Sequence, residues 1–252
     1  MSISGAISSP VLLLGISGPS SSGKTTLSRL LRDIFPPSLL TILHLDDFYL
    51  TDTSIPVKSG IQDWDCIESL NLPELKSALE YIKEHGKSPP SFVSKEDQNS
   101  VGDHGVDEKT VEELRARVKE GVEKKGWRTR IAIVDGFLLF SEDMKDIRQL
   151  FDLKLFLRTS YQTAKRRREA RSGYVTLEGF WEDPPGYVDK IVWPNYVKDH
   201  SFLFKGGDVE GDLDERVCGE IGVQAMPREA EESMGKCLEW AVQILVNVIE
   251  KS

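Results

Sequence analysis

The stretch GISGPSSSGKTTLSRLL, residues 15–31, decides the fold. Its first residues continue an apolar run that starts at Val11, and its middle is a break rich in glycine, proline and serine. Beyond the break Leu27, Leu30, Leu31 and Ile34 recur at helical spacing. The order is therefore strand, loop, helix. Gly18, Gly23, Lys24 and Thr25 fit G-x-x-x-x-G-K-[ST] in the flanking context that this pattern needs. Backbone N–H groups can curl around phosphate oxygens only where few side chains obstruct them, and a helix start adds unpaired donors and a favourable dipole. Lys24 is expected to neutralise the terminal phosphates and the Thr25 hydroxyl to ligate Mg²⁺. The expected nucleotide-binding set is Gly18, Ser20, Ser21, Ser22, Gly23, Lys24, Thr25 and Thr26.

Working outward, residues 41–45, 131–134 and 153–157 are short runs apolar on both faces, and 202–204 is a weaker fourth. Helical patterns separate them, which predicts a mostly parallel sheet with helices on both faces, an α/β fold. Residues 86–99 are polar and proline-bearing, while 107–125 carry Val111, Leu114, Val118 and Val122 on one helical face. The segment 86–126 reads as an excursion from a single domain spanning residues 1–252. Residues 228–249 read as a final helix packed on the sheet through Cys237, Trp240, Ala241, Ile244, Leu245 and Val248.

Composition narrows the partners. A formal net charge of −9 argues against nucleic acid as a main partner. Cys66, Cys218 and Cys237 are odd in number and widely spaced, which suggests neither a disulfide framework nor a zinc site and points to a reducing compartment. The first residues lack a basic leader, and no run approaches the ~20 apolar residues of a membrane span. The cytoplasm is the expected location. Monomer and dimer both stay open.

A phosphate loop alone does not choose between ATPase, GTPase and kinase; the carboxylates bear on that. Asp46 follows the strand TILHL and should emerge at the carboxyl end of the sheet, where ligands bind in open α/β folds. There it could accept a proton from an attacking hydroxyl or hold metal-bound water, or it could simply be a solvated strand-end acid. Asp135, in IAIVDGFLLF, suits an outer-sphere magnesium role. The run of basic residues 165–171 lies on an expected helix with Arg167 and Arg171 four apart and Arg168 and Arg171 three apart, either a clamp on the transferring phosphoryl group or a solvated basic face. Trp64 could stack a flat ring and Asp65 accept ribose hydroxyls, or the pair could be a core residue and a helix cap. His44 reads as packing.

Taken together, GISGPSSSGKTT, HLDDFY, QDWDCIESLNL, IVDGFLLF, AKRRREAR and DPPGYVDKIVWPNYVK resemble the nicotinamide riboside kinases, within the uridine-kinase-like P-loop kinases. The resemblance runs from about residue 14 to about residue 198. It implies a P-loop kinase fold with an arginine-bearing lid at about 161–190, and transfer of phosphate from ATP with Mg²⁺ to the 5′-hydroxyl of nicotinamide riboside, and often of nicotinic acid riboside, to supply NAD. Asp46 would be the proton acceptor and lie near the metal with Thr25, and Lys24, Asp135 and Arg168 would complete the catalytic set. Phe48, Tyr49, Trp64, Asp65 and Arg168 would line the riboside site, Tyr174 would cover the second face of its ring, and Arg167 and Arg171 would lie on the nucleotide side. Asp135 stands where several relatives carry Glu. The spacing through Ser172 to Tyr174 is longer than in that family, as is the 84–130 segment, to which the resemblance gives no role. A uridine or cytidine kinase is the rival enzyme, though Trp64 between Asp63 and Asp65 favours a cationic ring. A nucleotide switch or scaffold is the rival of another class; no guanine-specific NKxD stretch is found.

Overall fold

A computed structural model describes residues 11–95, 102–171, 173–176, 178–231 and 233–251. The leader reading at residues 1–10, the end of the polar segment at 96–99 and the spacing argument at Ser172 lie outside those residues.

Five parallel strands form the central sheet. In chain order they are β1 (Val11–Ser17), β2 (Leu40–His44), β5 (Arg130–Gly136), β6 (Leu153–Phe156) and β9 (Val223–Ala225), and in space β2-β5-β1-β6-β9. The short hairpins β3 (Val57–Lys58) with β4 (Ile61–Gln62) and β7 (Tyr174–Val175) with β8 (Phe180–Trp181) stand apart from it. The helices are α1 (Lys24–Ile34), α2 (Leu72–His85), α3 (Glu108–Lys124), α4 (Lys145–Arg148), α5 (Tyr161–Glu169), α6 (Trp193–His200), α7 (Glu215–Ile221) and α8 (Met234–Ile249).

Side chains alternate across the strands, so the sheet feeds two cores. Leu14, Ile16, Ile131, Ile133 and Leu155 pack with α1, α3 and α8. Leu13, Leu43, Ala132, Val134 and Phe156 pack with α2 and the segments around 138–151 and 196–223. Alternation with both faces buried is what a parallel sheet between two helical layers requires. Helix α3, inside the expected excursion, supplies Val111, Leu114 and Val118 to the first core, with Val122 partly buried beside them.

Two expectations need correction. Residues 202–204 are not a strand: Ser201–Leu203 form a 3-10 turn, and Phe204 makes a lone antiparallel bridge to Leu213. Phe204 is buried by ring contact with Phe156, 6.1 Å away, which explains its apolar character without a ladder. The fifth strand is Val223–Ala225, whose central Gln224 is exposed and whose shortness hides it from a pattern search. The final helix starts later than expected, at Met234, after a 3-10 turn at Arg228–Ala230. Its buried face is Cys237, Leu238, Ala241, Val242, Leu245, Val246 and Ile249, with Trp240, Ile244 and Val248 at the margin.

The register puts the business ends of three strands together. Ser17 pairs with Gly136 and Phe156, and His44 with Asp135, so the loops after β1, β2 and β5 leave the same edge of the sheet. Leu245→Ala, which empties a fully buried position on α8, should cost about 2–5 kcal/mol by urea denaturation.

Candidate active site

The loop after β1 is shaped by its own backbone. Gly18 has φ +144°, and a Cβ there would lie 2.4 Å from the Leu157 carbonyl oxygen. Gly23, at φ +98°, turns the chain into α1 as its N-cap. No side chain caps that helix and no acid occupies its first turn, so its leading N–H groups stay available to an anion. The Ser21 and Ser22 hydroxyls are buried and have no hydrogen-bond partner among the described residues. Buried donors without partners are costly, and a phosphate group would satisfy them. The residues present thus fit a nucleoside triphosphate.

Lys24 arches back over the loop, its Nζ donating to Gly18 O at 3.0 Å and Pro19 O at 2.8 Å. Burial pulls its pKa down to about 8, against the attraction of Asp135 and Asp46. Asp46 sits in a 3-10 turn, Leu45–Phe48, directly after β2. Burial and then the charge of Asp135 push its pKa up to about 6, although Lys24 opposes this. Its neighbour Asp47 does other work, accepting the Lys95 N–H at 2.6 Å and so tying down the polar segment. Asp135 is 3% exposed. Burial opposes its ionisation, yet the nearby His44, Ser28 hydroxyl and Lys24 together hold its pKa below the usual carboxylate range. With Asp135 ionised, the 2.8 Å contact to His44 Nδ1 makes the imidazole N–H the donor. His44 is buried, as read from sequence, but it also orients a site carboxylate.

Two cavities meet at this loop. The first is lined by Lys24, Asp46, Asp135, Asp65 and Arg168 and walled by Tyr49, Trp64, Phe137 and Trp181. The second is lined by Ser21, Ser22, Arg167 and Arg171 and runs along α1 to Met226 and Met234. Ser21, Gly23, Thr25, Thr26, Asp46, Arg171 and Tyr174 border both. Phe48 borders neither; it is buried in the second core and stacks on Phe92 at 5.6 Å. Ser20 lines the first cavity only.

Arg168 is the hub of the first cavity. Nε donates to Asp183 Oδ2 at 2.6 Å, Nη1 to Ser20 Oγ and Asp65 Oδ1 at 2.8 Å each, and Nη2 to Asp65 Oδ2 at 3.0 Å and Asp183 Oδ1 at 3.2 Å. Every guanidinium N–H is engaged, and the Tyr174 and Tyr187 rings lie 5.2 Å from its centre. Burial works against this cation, but Asp65 and then Asp183 outweigh it and raise its pKa. The residue read as part of a mobile clamp therefore joins the phosphate loop, the Trp64–Asp65 turn and the segment after β8.

The helical spacing of the arginines holds only in part. Helix α5 ends at Glu169, so Arg171 lies past it, its N–H on Arg168 O and its Nη1 donating to the Tyr174 hydroxyl. Arg167 Nη1 reaches Ser21 O at 3.4 Å. Tyr174 is occupied by Arg168 and Arg171, whereas Trp181 lies 5.7 Å from Trp64 and donates Nε1–H to Asp183. Trp64 meets Tyr49 edge-on at 5.3 Å. Asn195 holds Asp63 by Nδ2 at 2.9 and 3.0 Å and fixes the turn from behind. Trp181, Phe137, Asp183 and Asn195 were missed from sequence; the only cue was their place in FWEDPPG, VDGF and VWPN.

No family model matches the chain. Curated relatives do. It is 41% identical over 95% of its length to a nicotinamide riboside kinase from Schizosaccharomyces pombe, covering 98% of that protein. It is 36% identical over 96% of its length to one from Saccharomyces cerevisiae, again covering 98%. The chain belongs to the nicotinamide riboside kinase family. Nicotinamide riboside kinase 1 from Homo sapiens is 30% identical over 74% of this chain and 75% of its own length. A solved sugar kinase from Janibacter sp. HTCC2649 aligns over 92% of this chain and 95% of that one with TM-score 0.41 and 14% identity, too slight a likeness to carry an argument.

Arg168→Ala leaves the buried carboxylate of Asp65 and the partly buried one of Asp183 without their cation. It should lower stability by about 3–5 kcal/mol in a denaturant titration; a loss near zero would show that the hub is dispensable.

Proposed function

We propose that this family member transfers the γ-phosphoryl group of ATP to the 5′-hydroxyl of nicotinamide riboside, giving the mononucleotide from which NAD is made. The observation that carries the reading is the meeting of the two cavities at the phosphate loop. On one side stand aromatic walls and carboxylates, suited to a flat cationic ring and a ribose, and on the other a long slot suited to a nucleotide.

Lys24 and the uncapped start of α1 hold the phosphates of the donor. Asp46, in contact with both cavities, takes the proton of the 5′-hydroxyl. Thr25 and Asp46 are the residues that would hold Mg²⁺, with Asp135 behind them, and the metal would supply neutralising charge on the phosphate oxygens. Among the described residues there is no cluster of three or more His, Cys, Asp or Glu side chains for a metal. Magnesium at phosphates needs none, because one or two carboxylates with substrate oxygens and waters satisfy it.

Trp64, Tyr49 and Trp181 exclude water from the ring and attract its positive charge. Asp65 takes the ribose hydroxyls: both its oxygens accept from Arg168, and each keeps a further lone pair. Helix α5 and the β7–β8 hairpin act as the lid over the riboside, with Arg167 and Arg171 at the nucleotide side. No helix among the described residues is long and apolar enough to cross a membrane. The three cysteines are free thiols, which fits a cytoplasmic setting.

Asp46→Asn should lower kcat at least 100-fold while the ATP dissociation constant stays within about 3-fold; unchanged turnover removes Asp46 from the chemistry. In the free enzyme Asp46 must be ionised and Lys24 charged. The profile of kcat/KM against pH should therefore rise through about 6 and fall through about 8. In a panel with ATP and Mg²⁺, nicotinamide riboside should give 5′-monophosphate faster than uridine, and its 2′-deoxy analogue should react far more slowly. Preference for uridine would overturn the assignment.

A further inference from the structure

The segment just before α3 reaches the second cavity. Residues 102–107 come just before α3, and Gly102, Asp103 and His104 line the second cavity together with residues of α1 and α8. The loop is anchored rather than draped. Val106 is buried in the core shared by α1, α3 and α8, the Gly105 N–H donates to Asp103 Oδ1 at 2.9 Å, and Gly105 takes the left-handed φ of +65° that the turn needs.

One hydrogen bond fixes the chemistry that His104 offers. The Val106 N–H donates to His104 Nδ1 at 3.1 Å, so in the neutral ring the proton is on Nε2. The cavity wall thus contains a half-buried imidazole that is a hydrogen-bond donor. The lining of the same cavity brings Met226, Ala230, Met234 and Cys237 together with the charged side chains of Arg29, Asp33 and Glu231, and thioethers suit the face of a flat ring. Neither Trp64 nor Asp65, the residues proposed for the riboside, borders this cavity.

We propose that His104 reads the purine of the phosphoryl donor, giving Nε2–H to a ring nitrogen of the base, and that the segment 102–107 is a specificity wall built for that purpose. The inference rests on the reading that the second cavity holds the donor's nucleoside while the phosphate loop holds its phosphates. Removing one such hydrogen bond should weaken binding about 3- to 10-fold.

The test measures dissociation constants for ATP and for inorganic tripolyphosphate by calorimetry, with Mg²⁺ and without riboside. His104→Ala should weaken ATP by that factor and leave tripolyphosphate unchanged, because the phosphate loop is intact. His104→Gln, whose amide N–H can reach where Nε2–H was, should recover most of the ATP affinity. Unchanged ATP binding, or equal weakening of both ligands, overturns the role of His104. Photolabelling with 8-azido-ATP separates the two levels of failure. Adducts on the peptides carrying His104 or Met234 support the donor cavity even if His104 proves silent, whereas adducts on Trp64 or Trp181 overturn the cavity assignment itself.

Discussion

Two buried cations hold the site together, and each stays in place because carboxylates reach it from other parts of the chain. Lys24 folds back on the phosphate loop, with Asp135 and Asp46 near enough to offset part of the cost of its burial. Arg168 is held by Asp65 on one side and Asp183 on the other. An uncompensated buried charge costs several kcal/mol, so the loops that carry these groups cannot drift independently. Folding the first cavity and balancing its charge are one event.

That coupling also explains how one small sheet serves two ligands. Because β2, β5 and β1 end in register, Asp46, Asp135 and the phosphate loop leave the sheet side by side. The first cavity then lies over the loops after β2 and β5, and the second runs along α1 toward α8. Asp46, Thr25 and Arg171 border both, where a phosphoryl group passing from one to the other would be found. His44 belongs to the same economy: a ring buried between strands keeps the Asp135 carboxylate ionised and aimed.

Much of this was legible in the chain. Helix α1 falls where the Leu27, Leu30, Leu31 and Ile34 spacing puts it, and the runs at 41–45, 131–134 and 153–157 are strands to within a residue or two. Those segments are buried on both faces, and continuous apolar character is a signal that survives tertiary context. The edge strand Val223–Ala225 did not show itself, since a three-residue edge needs little apolar sequence, while 202–204 misled because its phenylalanines serve side-chain packing, Phe204 on Phe156 and Phe202 beside Arg148. Among the site residues, Lys24, Thr25, Asp46, Trp64, Asp65 and Asp135 line the cavities, and Phe48 faces the core instead, one residue away from the cavity-lining Tyr49.

The sequence by itself determined the phosphate loop, its strand and helix, and the acids at the strand ends, because each is encoded in residues close along the chain with a local physical reason. Only the tertiary structure decided that Arg168 is a saturated hub, that Trp181 rather than Tyr174 stands beside Trp64, and that the segment before α3 walls the second cavity. These depend on residues as far apart as Asp65 and Arg168, which are in contact, or His104 and Met234, which line one cavity. Such contacts are chosen by whole-molecule packing and the pairing of buried charge, and no local spacing records them.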